Sequence, residues 1–402
     1  MESKIENLTE KRIELVKSKW NENFLNTYIQ MPVVIDRGQG SILYDLDNKE
    51  YIDFTSGYGA SSLGYNYKKL VEALQNQVSK ITHVSNLFFS KVMVDAGDKL
   101  VKVSNMKKVF FINSGSEANE LAIKMARKYS SEKYGSNRGT ILSLKGSFHG
   151  RTMLALMACG KDKYHEYFYP LPSGFKYTEK NNIEMFKDVL EDESICAVII
   201  EAIQGEGGIY PLEGEYLKEV VKICNKKDIL VIFDEVQCGI GRSGKLFGFN
   251  HYNLNPDIVT IAKGIGAGIP VSAVLANEKT ENILKPGDHG STFGGNTLAM
   301  TAVSVVLDEI ENPGFYEEVE AKGKYIIDYI RNLNSDKVVE IRGKGLMIGI
   351  ELNIGASEII NKCIEDGLLI LNAGENVIRF LPPLVITYDE INRGLQILKK
   401  HL

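Results

Sequence analysis

The chain has 402 residues, 44% hydrophobic and 25% charged, with a net charge of −5. That length and balance suit a globular protein of two or three domains with a large buried core. The mild acidity gives no support to a nucleic-acid or membrane surface, and no run approaches the ~18 apolar residues of a membrane span. Five cysteines without a C-x-x-C pair suit a reducing compartment rather than a disulfide framework or zinc site. The six histidines include no H-x-H or H-E-x-x-H, so no metal is expected. The N-terminus is charged and has no signal-peptide core, which points to a cytoplasmic protein.

Residues 9–27 read as a helix starting at Thr9, with an apolar stripe of Ile13, Val16, Trp20 and Phe24. Short strands follow at Ser41–Tyr44 and Tyr51–Phe54, parted by the turn signal Asp47-Asn48, and then a helix over Tyr67–Thr82. Between about 90 and 310, β-rich runs alternate with helical stretches. The runs are Val109–Asn113, Thr140–Leu144, Ala197–Glu201, Leu230–Asp234, Ile258–Ala262 and Val271–Leu275. Continuous rather than alternating apolar runs predict strands buried on both faces of a largely parallel sheet between helices. After Asn312-Pro-Gly314 come a helix over Phe315–Leu333 and strands at Val338–Ile341, Leu346–Glu351, Leu368–Leu371 and Val377–Phe380. A helix from about Asp389 closes the chain. The expectation is an α/β fold with a large domain over 61–312 and a smaller α+β domain over 313–402. Residues 1–60 would join the smaller domain.

Two of these runs end on chemistry. Ile229-Leu-Val-Ile-Phe-Asp234 delivers a carboxylate, and Ile258-Val-Thr-Ile-Ala-Lys263 delivers a lysine into a glycine-rich turn. Ligands of parallel sheets gather at the carboxyl ends of strands. A lysine amine that can condense with an aldehyde, beside a carboxylate that can keep a pyridine nitrogen protonated, is the equipment of a pyridoxal 5′-phosphate enzyme. Gln237, three residues past Asp234, can reach the ring hydroxyl. Asn113-Ser114-Gly115-Ser116-Glu117 opens a helix. Ser114 and Glu117 have capping-box spacing, while Gly115 and Ser116 offer N–H groups and a hydroxyl to a phosphate, so a plain cap and a phosphate site are both open. Phe148 can stack on the ring or simply fill the core, and Arg151 can clamp a carboxylate or sit as a surface cation. The four elements share one cofactor and fall at successive strand ends, which favours the functional reading of the set.

Nearly the whole chain, from Asn26-Thr-Tyr28 to Leu381-Pro-Pro-Leu384, resembles the class III pyridoxal-phosphate aminotransferases, a branch of fold-type I. Its motifs are most like the acetylornithine aminotransferase subgroup. They include Tyr51-Ile-Asp-Phe54-Thr-Ser-Gly57, His83-Val-Ser-Asn86, Phe148-His-Gly-Arg151-Thr, Gln204-Gly-Glu206-Gly-Gly and Ser291-Thr292-Phe-Gly-Gly-Asn296. The resemblance implies that Lys263 and Asp234 are catalytic. It places Gly115, Ser116, Phe148, Glu235, Val236, Gln237 and Thr292 at the cofactor, Thr292 coming from the second subunit of a homodimer with shared active sites. Arg151, Ser291, Arg379 and Glu206 would meet substrate. Arg379 would receive the α-carboxylate of glutamate and of 2-oxoglutarate, and Glu206 would neutralise it while the amino donor is bound.

Three departures bear on the donor. Tyr58 stands where the subgroup carries a small aliphatic residue, Ser61 replaces an asparagine, and Gly64-Tyr65-Asn-Tyr67 replaces a Gly-His…His-Pro pattern. An aromatic at the first position is an ornithine δ-aminotransferase habit. The expected reaction moves the terminal amine of N-acetylornithine or a similar ω-amino acid to 2-oxoglutarate. Free ornithine and 4-aminobutyrate are the alternative donors, and class III racemase or decarboxylase chemistry is a more distant one.

Overall fold

The structure, a computed structural model, describes residues 2–402. Its centre is a seven-stranded sheet with strands in the order Lys108–Ile112, Ser272–Ala276, Ile258–Ile261, Leu230–Asp234, Ile195–Ile200, Thr140–Leu144 and Phe175–Thr178. The last five are parallel to one another, and Ser272–Ala276 runs antiparallel to both of its neighbours. Four of the strands are buried at every position, which is why their sequences are apolar without alternation. Alternate residues of these strands nonetheless serve opposite faces. Ala197, Ile199, Leu230 and Ile232 pack with Leu121, Ala122 and Met125 of the Gly115–Tyr134 helix. Val198, Ile200, Val231 and Phe233 pack with Leu217 and Val220 of the Gly214–Lys226 helix and Val303 of the Thr297–Ile310 helix.

A four-stranded antiparallel sheet joins Val338–Lys344, Met347–Leu352, Val377–Phe380 and Leu371–Asn372 in that order. A third sheet takes Ile35–Gln39, Ile42–Asp45 and Glu50–Asp53 from near the start of the chain and adds Leu368–Leu369 parallel to Glu50–Asp53. Leu43, Ile52 and Phe54 accordingly share a hydrophobic cluster with Val319, Ile350, Ile364 and Phe380.

Several local expectations are corrected. The first helix spans Glu2–Asn23, so it begins ahead of Thr9, and Trp20 and Phe24 stack on each other while exposed rather than facing a core. The next helix is shorter than expected, Lys68–Val78. The Phe175–Thr178 strand has no forerunner in the sequence reading, because an edge strand with Lys176 facing out lacks the continuous apolar signature. The Val271–Leu275 run does form a strand, over Ser272–Ala276, but against the direction of the others. Among the described residues, no helix is long and apolar enough to cross a membrane.

Candidate active site

The carboxyl ends of the parallel strands open into a cavity of about 340 Å³. Asp234 closes the central strand and is 3% exposed. Its Oδ2 accepts from Asn119 Nδ2 (2.7 Å) and His149 Nδ1 (2.8 Å), and its Oδ1 accepts from the Val236 N–H (3.0 Å). Asn119 is itself locked, accepting from Thr260 Oγ1 (2.7 Å) and donating to the His149 carbonyl. The carboxylate is therefore aimed by three donors from different parts of the chain. The other ring nitrogen of His149, Nε2, is buried without a hydrogen-bond partner.

Lys263 follows the next strand and holds a φ of +48°, a left-handed conformation that a long side chain adopts rarely and that gathers at functional sites. Its side chain lines the cavity, with no hydrogen-bond or ion-pair partner among the described residues. Burial lowers its ammonium pKa, the charge of Glu206 works against that shift, and that of Arg379 adds to it.

The Gly115–Tyr134 helix points its N-terminus at the same space. Ser114 is its N-cap, Oγ accepting from the Glu117 N–H (3.3 Å), so the capping reading holds and leaves the first N–H groups free for a ligand. Two glycines make the approach close. A Cβ on Gly115 would stand 2.8 Å from Val236 Cγ1, and one on Gly150, at φ +144°, would stand 2.3 Å from Ser116 Oγ. Ser116 Oγ accepts from the Arg151 N–H (3.0 Å). Phe148 lines the cavity, while Arg151 does not line it and is exposed, its guanidinium 4.3 Å from the Tyr164 ring centre and 5.1 Å from that of Phe148.

Behind two lining residues, Arg379 is 1% exposed and pairs through Nη1 with Glu206, with Gln237 Oε1 a longer 3.4 Å away. Burial alone would raise the Glu206 pKa, but the charge and hydrogen bond of Arg379 outweigh it and hold it low. The guanidinium lies 5.1 Å from the ring centre of Tyr58, which is 45% exposed and sits at φ +61° after Gly57 at +58°. A Cβ on Gly205 would fall 2.1 Å from Gln237 Oε1, so only glycine lets Gln237 reach this position.

Other expected residues lie elsewhere. Glu235 is turned away from the cavity, a correction to its expected place at the cofactor. Its carboxylate accepts from the N–H groups of Gly248 (2.7 Å) and Phe249 (3.1 Å) and from Cys238 Sγ (3.2 Å). Ser291 and Thr292 do not line this chain's own cavity. Ser291 Oγ accepts from Asn113 Nδ2 (3.2 Å), and Thr292 is exposed. The sequence reading missed Asn119, His149 as a partner of Asp234, and Glu201. Glu201 follows the Ile195–Ile200 strand, accepts from the Phe148 N–H (2.9 Å) and the Gly205 N–H (3.0 Å), and is raised to about 7 by burial, with the charge of His149 opposing. Its signal in the sequence, an acid at the end of an apolar run, is the same as that of Asp234.

Burial also raises Glu235 to about 7. The folded chain therefore binds more protons than the unfolded chain between the ordinary glutamate pKa and about 7, and stability from this group falls as pH rises through that window. Glu235→Gln keeps an acceptor for the Gly248 N–H and removes the titration. Urea midpoints of the holoenzyme should fall more for the wild type than for the variant between pH 5 and pH 8. Equal changes would contradict this account.

Residues 24–402 match the family described as aminotransferase class III. The chain is 49% identical to the acetylornithine aminotransferase of Caldanaerobacter subterraneus subsp. tengcongensis over 93% of its own length and 95% of that protein's. It is 44% identical to that of Methanocaldococcus jannaschii, over 92% and 93%. Among solved structures, the ornithine aminotransferase of Toxoplasma gondii superposes with a TM-score of 0.93 at 30% identity, covering 97% of this chain and 94% of that one. The acetylornithine aminotransferase of Elizabethkingia anophelis gives 0.87 at 34%, covering 97% and 98%. The chain belongs to the class III aminotransferases. It is a transaminase of the fold-type I architecture that works with pyridoxal 5′-phosphate.

Proposed function

We propose that the chain moves the terminal amino group of N-acetylornithine, or a similar ω-amino acid, to 2-oxoglutarate, releasing a semialdehyde and glutamate. The observation that carries this reading is the ion pair of Arg379 with Glu206, a residue that lines the same cavity as Lys263. While Glu206 neutralises Arg379, the cavity admits a donor end without a carboxylate. When Glu206 swings aside, the freed guanidinium takes an α-carboxylate in bidentate fashion. A racemase has no use for such a gate. The names of the acetylornithine aminotransferases that the chain resembles support the donor.

The residues present fit the cofactor. The uncapped N–H groups at Gly115 and Ser116 suit its phosphate, brought close by glycines that a Cβ would block. Phe148 and Val236 bound the space for its ring, and Gln237 is placed for its hydroxyl. When bound, it supplies an electron sink that lets the donor's C–H bond break as a proton transfer. Asp234, oriented by Asn119 and His149, keeps the ring nitrogen protonated. Lys263 would hold the aldehyde, and its amine would take up and return the proton of the donor carbon, its lowered basicity raising the neutral fraction available as base. Arg151, beside Phe148, would assist with the substrate carboxylate.

In this reading Thr292 and Ser291 serve the cavity of a second copy in a homodimer. That is supported by their position off their own cavity and by the exposure of Leu87, Phe88, Phe89 and Phe293. Residues 61–312 form the cofactor-binding domain, and 1–60 with 313–402 form the smaller one. The separation of the hydrophobic clusters supports that division. The working compartment is the cytoplasm.

Tyr58 favours a second reading, because its ring lies beside Arg379 and its hydroxyl could meet the free α-amino group of ornithine. Single-turnover absorbance of the holoenzyme, without keto acid, against N-acetylornithine, ornithine and 4-aminobutyrate separates the two. The expected result is fastest bleaching with N-acetylornithine, changed less than about threefold by Tyr58→Val. Preference for ornithine, with a loss of about tenfold in Tyr58→Val, the scale of one hydrogen bond to a charged group, would replace the donor.

A further inference from the structure

The turn that carries Glu206 is tied down through its backbone at both ends. The Gly205 N–H donates to Glu201 (3.0 Å), and Lys161 Nζ donates to the Glu206 carbonyl (2.7 Å). From the opposite side, outside the cavity, Arg342 Nε donates to the carbonyls of Gly208 (2.9 Å) and Ile209 (3.1 Å). Arg342 is 8% exposed, its guanidinium lies 3.7 Å from the ring centre of Tyr210, and its Nη1 pairs with Glu340 (2.6 Å) and Glu351. A buried, stacked and doubly paired guanidinium has little freedom, so the carbonyls it holds have little too.

The strand register explains why this arginine meets that turn. Arg342 stands opposite Gly349, and Gly349 stands opposite Arg379. Residues directly opposite in antiparallel strands share a face, so the two arginines flank a glycine in one row. The turn lies over the gap. A Cβ on Gly349 would stand 2.8 Å from the Ile209 Cβ and 3.1 Å from the Gly208 carbonyl oxygen. One arginine of the row therefore grips the far end of the turn by its main chain, and the other grips the Glu206 side chain.

We propose that Arg342 is a positioning residue for the Glu206–Arg379 gate, a role that rests on the gate reading above. It fixes the backbone of 205–209 so that opening is a rotation of the Glu206 side chain and closing returns the carboxylate to one place on Arg379. With that hold released, Glu206 occupies Arg379 for less of the time. The guanidinium then stays available to α-carboxylates throughout the cycle, and the enzyme loses its preference for an ω-amine over an α-amino acid.

The test uses holoenzyme in single turnovers with N-acetylornithine and with glutamate, measured separately. Arg342→Gln should lower the ratio of the two kcat/KM values at least fivefold, through the ω-amine reaction, while the cofactor's absorbance spectrum and affinity stay unchanged. Gly349→Ala, which presses on the turn with Arg342 intact, should shift the ratio the same way and decides the matter if Arg342→Gln does not fold. Glu340→Gln, which leaves both carbonyl bonds in place, should stay within twofold of wild type. An equal fall in both half-reactions would mark a general structural lesion and overturn the proposal. Glu206→Ala distinguishes the two layers. If it leaves the ratio unchanged, the gate itself is wrong. If it lowers the ratio while Arg342→Gln and Gly349→Ala do not, only the role of Arg342 fails.

Discussion

Lys263→Ala is expected to lower kcat by more than about 10³-fold, the upper range of a lost general acid–base group compounded by a lost covalent anchor. Among the described residues lining the cavity, Lys263 is the only amine. Glu206 is engaged with Arg379, and Asp234 is held by Asn119, His149 and the Val236 N–H as the anionic partner of the ring nitrogen. Uptake of pyridoxal phosphate should persist, because the phosphate and ring contacts lie on other elements. Steady-state turnover together with cofactor binding by absorbance checks both parts. A residual rate within tenfold of wild type would remove Lys263 from the chemistry. The depressed pKa also fixes a direction: the fraction of uncharged amine, and with it proton abstraction, rises with pH through an inflection below the ordinary lysine value.

Asp234→Asn should cost about 10³-fold in kcat. A carboxylate about 4 Å from a protonated ring nitrogen contributes about 4 kcal/mol at an effective dielectric near 20, and each 1.36 kcal/mol is tenfold in rate. Asparagine preserves the shape and removes the charge, so the loss reports electrostatics rather than packing. Its readout is single-turnover kinetics with the amino donor, accompanied by an altered absorbance spectrum of the bound cofactor. A loss below tenfold with an unaltered spectrum would mean that the ring nitrogen needs no anionic partner here.

What could be read from the sequence follows from how locally each residue's role is determined. Lys263 and Asp234 were visible because a buried parallel strand needs an unbroken apolar run, so a charge at its end stands out. Glu201 carries the same mark. Glu235 was misplaced because neighbouring residues at a strand end point in opposite directions: with Asp234 facing the cavity, Glu235 faces Gly248 and Phe249. Asn119 and His149 had no local mark at all. Their function comes from meeting Asp234 across 115 and 85 positions of chain, a juxtaposition that only the folded sheet creates. The same is true of the row Arg342, Gly349 and Arg379, which exists only in the pairing of three strands.

The reversed direction of the Ser272–Ala276 strand has a bearing on where this chain tolerates alteration. Because that strand starts, rather than ends, at the reactive edge of the sheet, the eight residues from Gly264 to Val271 leave and return on the same side. Lys263 and the Ile269–Val271 wall of the cavity thus stand on two stems of one short loop, and a residue inserted there displaces a reacting group and a boundary together. Connections that enter the parallel strands from the opposite edge, such as 135–139 and 191–194, carry none of the chemistry. New chain termini or grafted segments belong on that silent edge, where length can change without moving an atom that reacts.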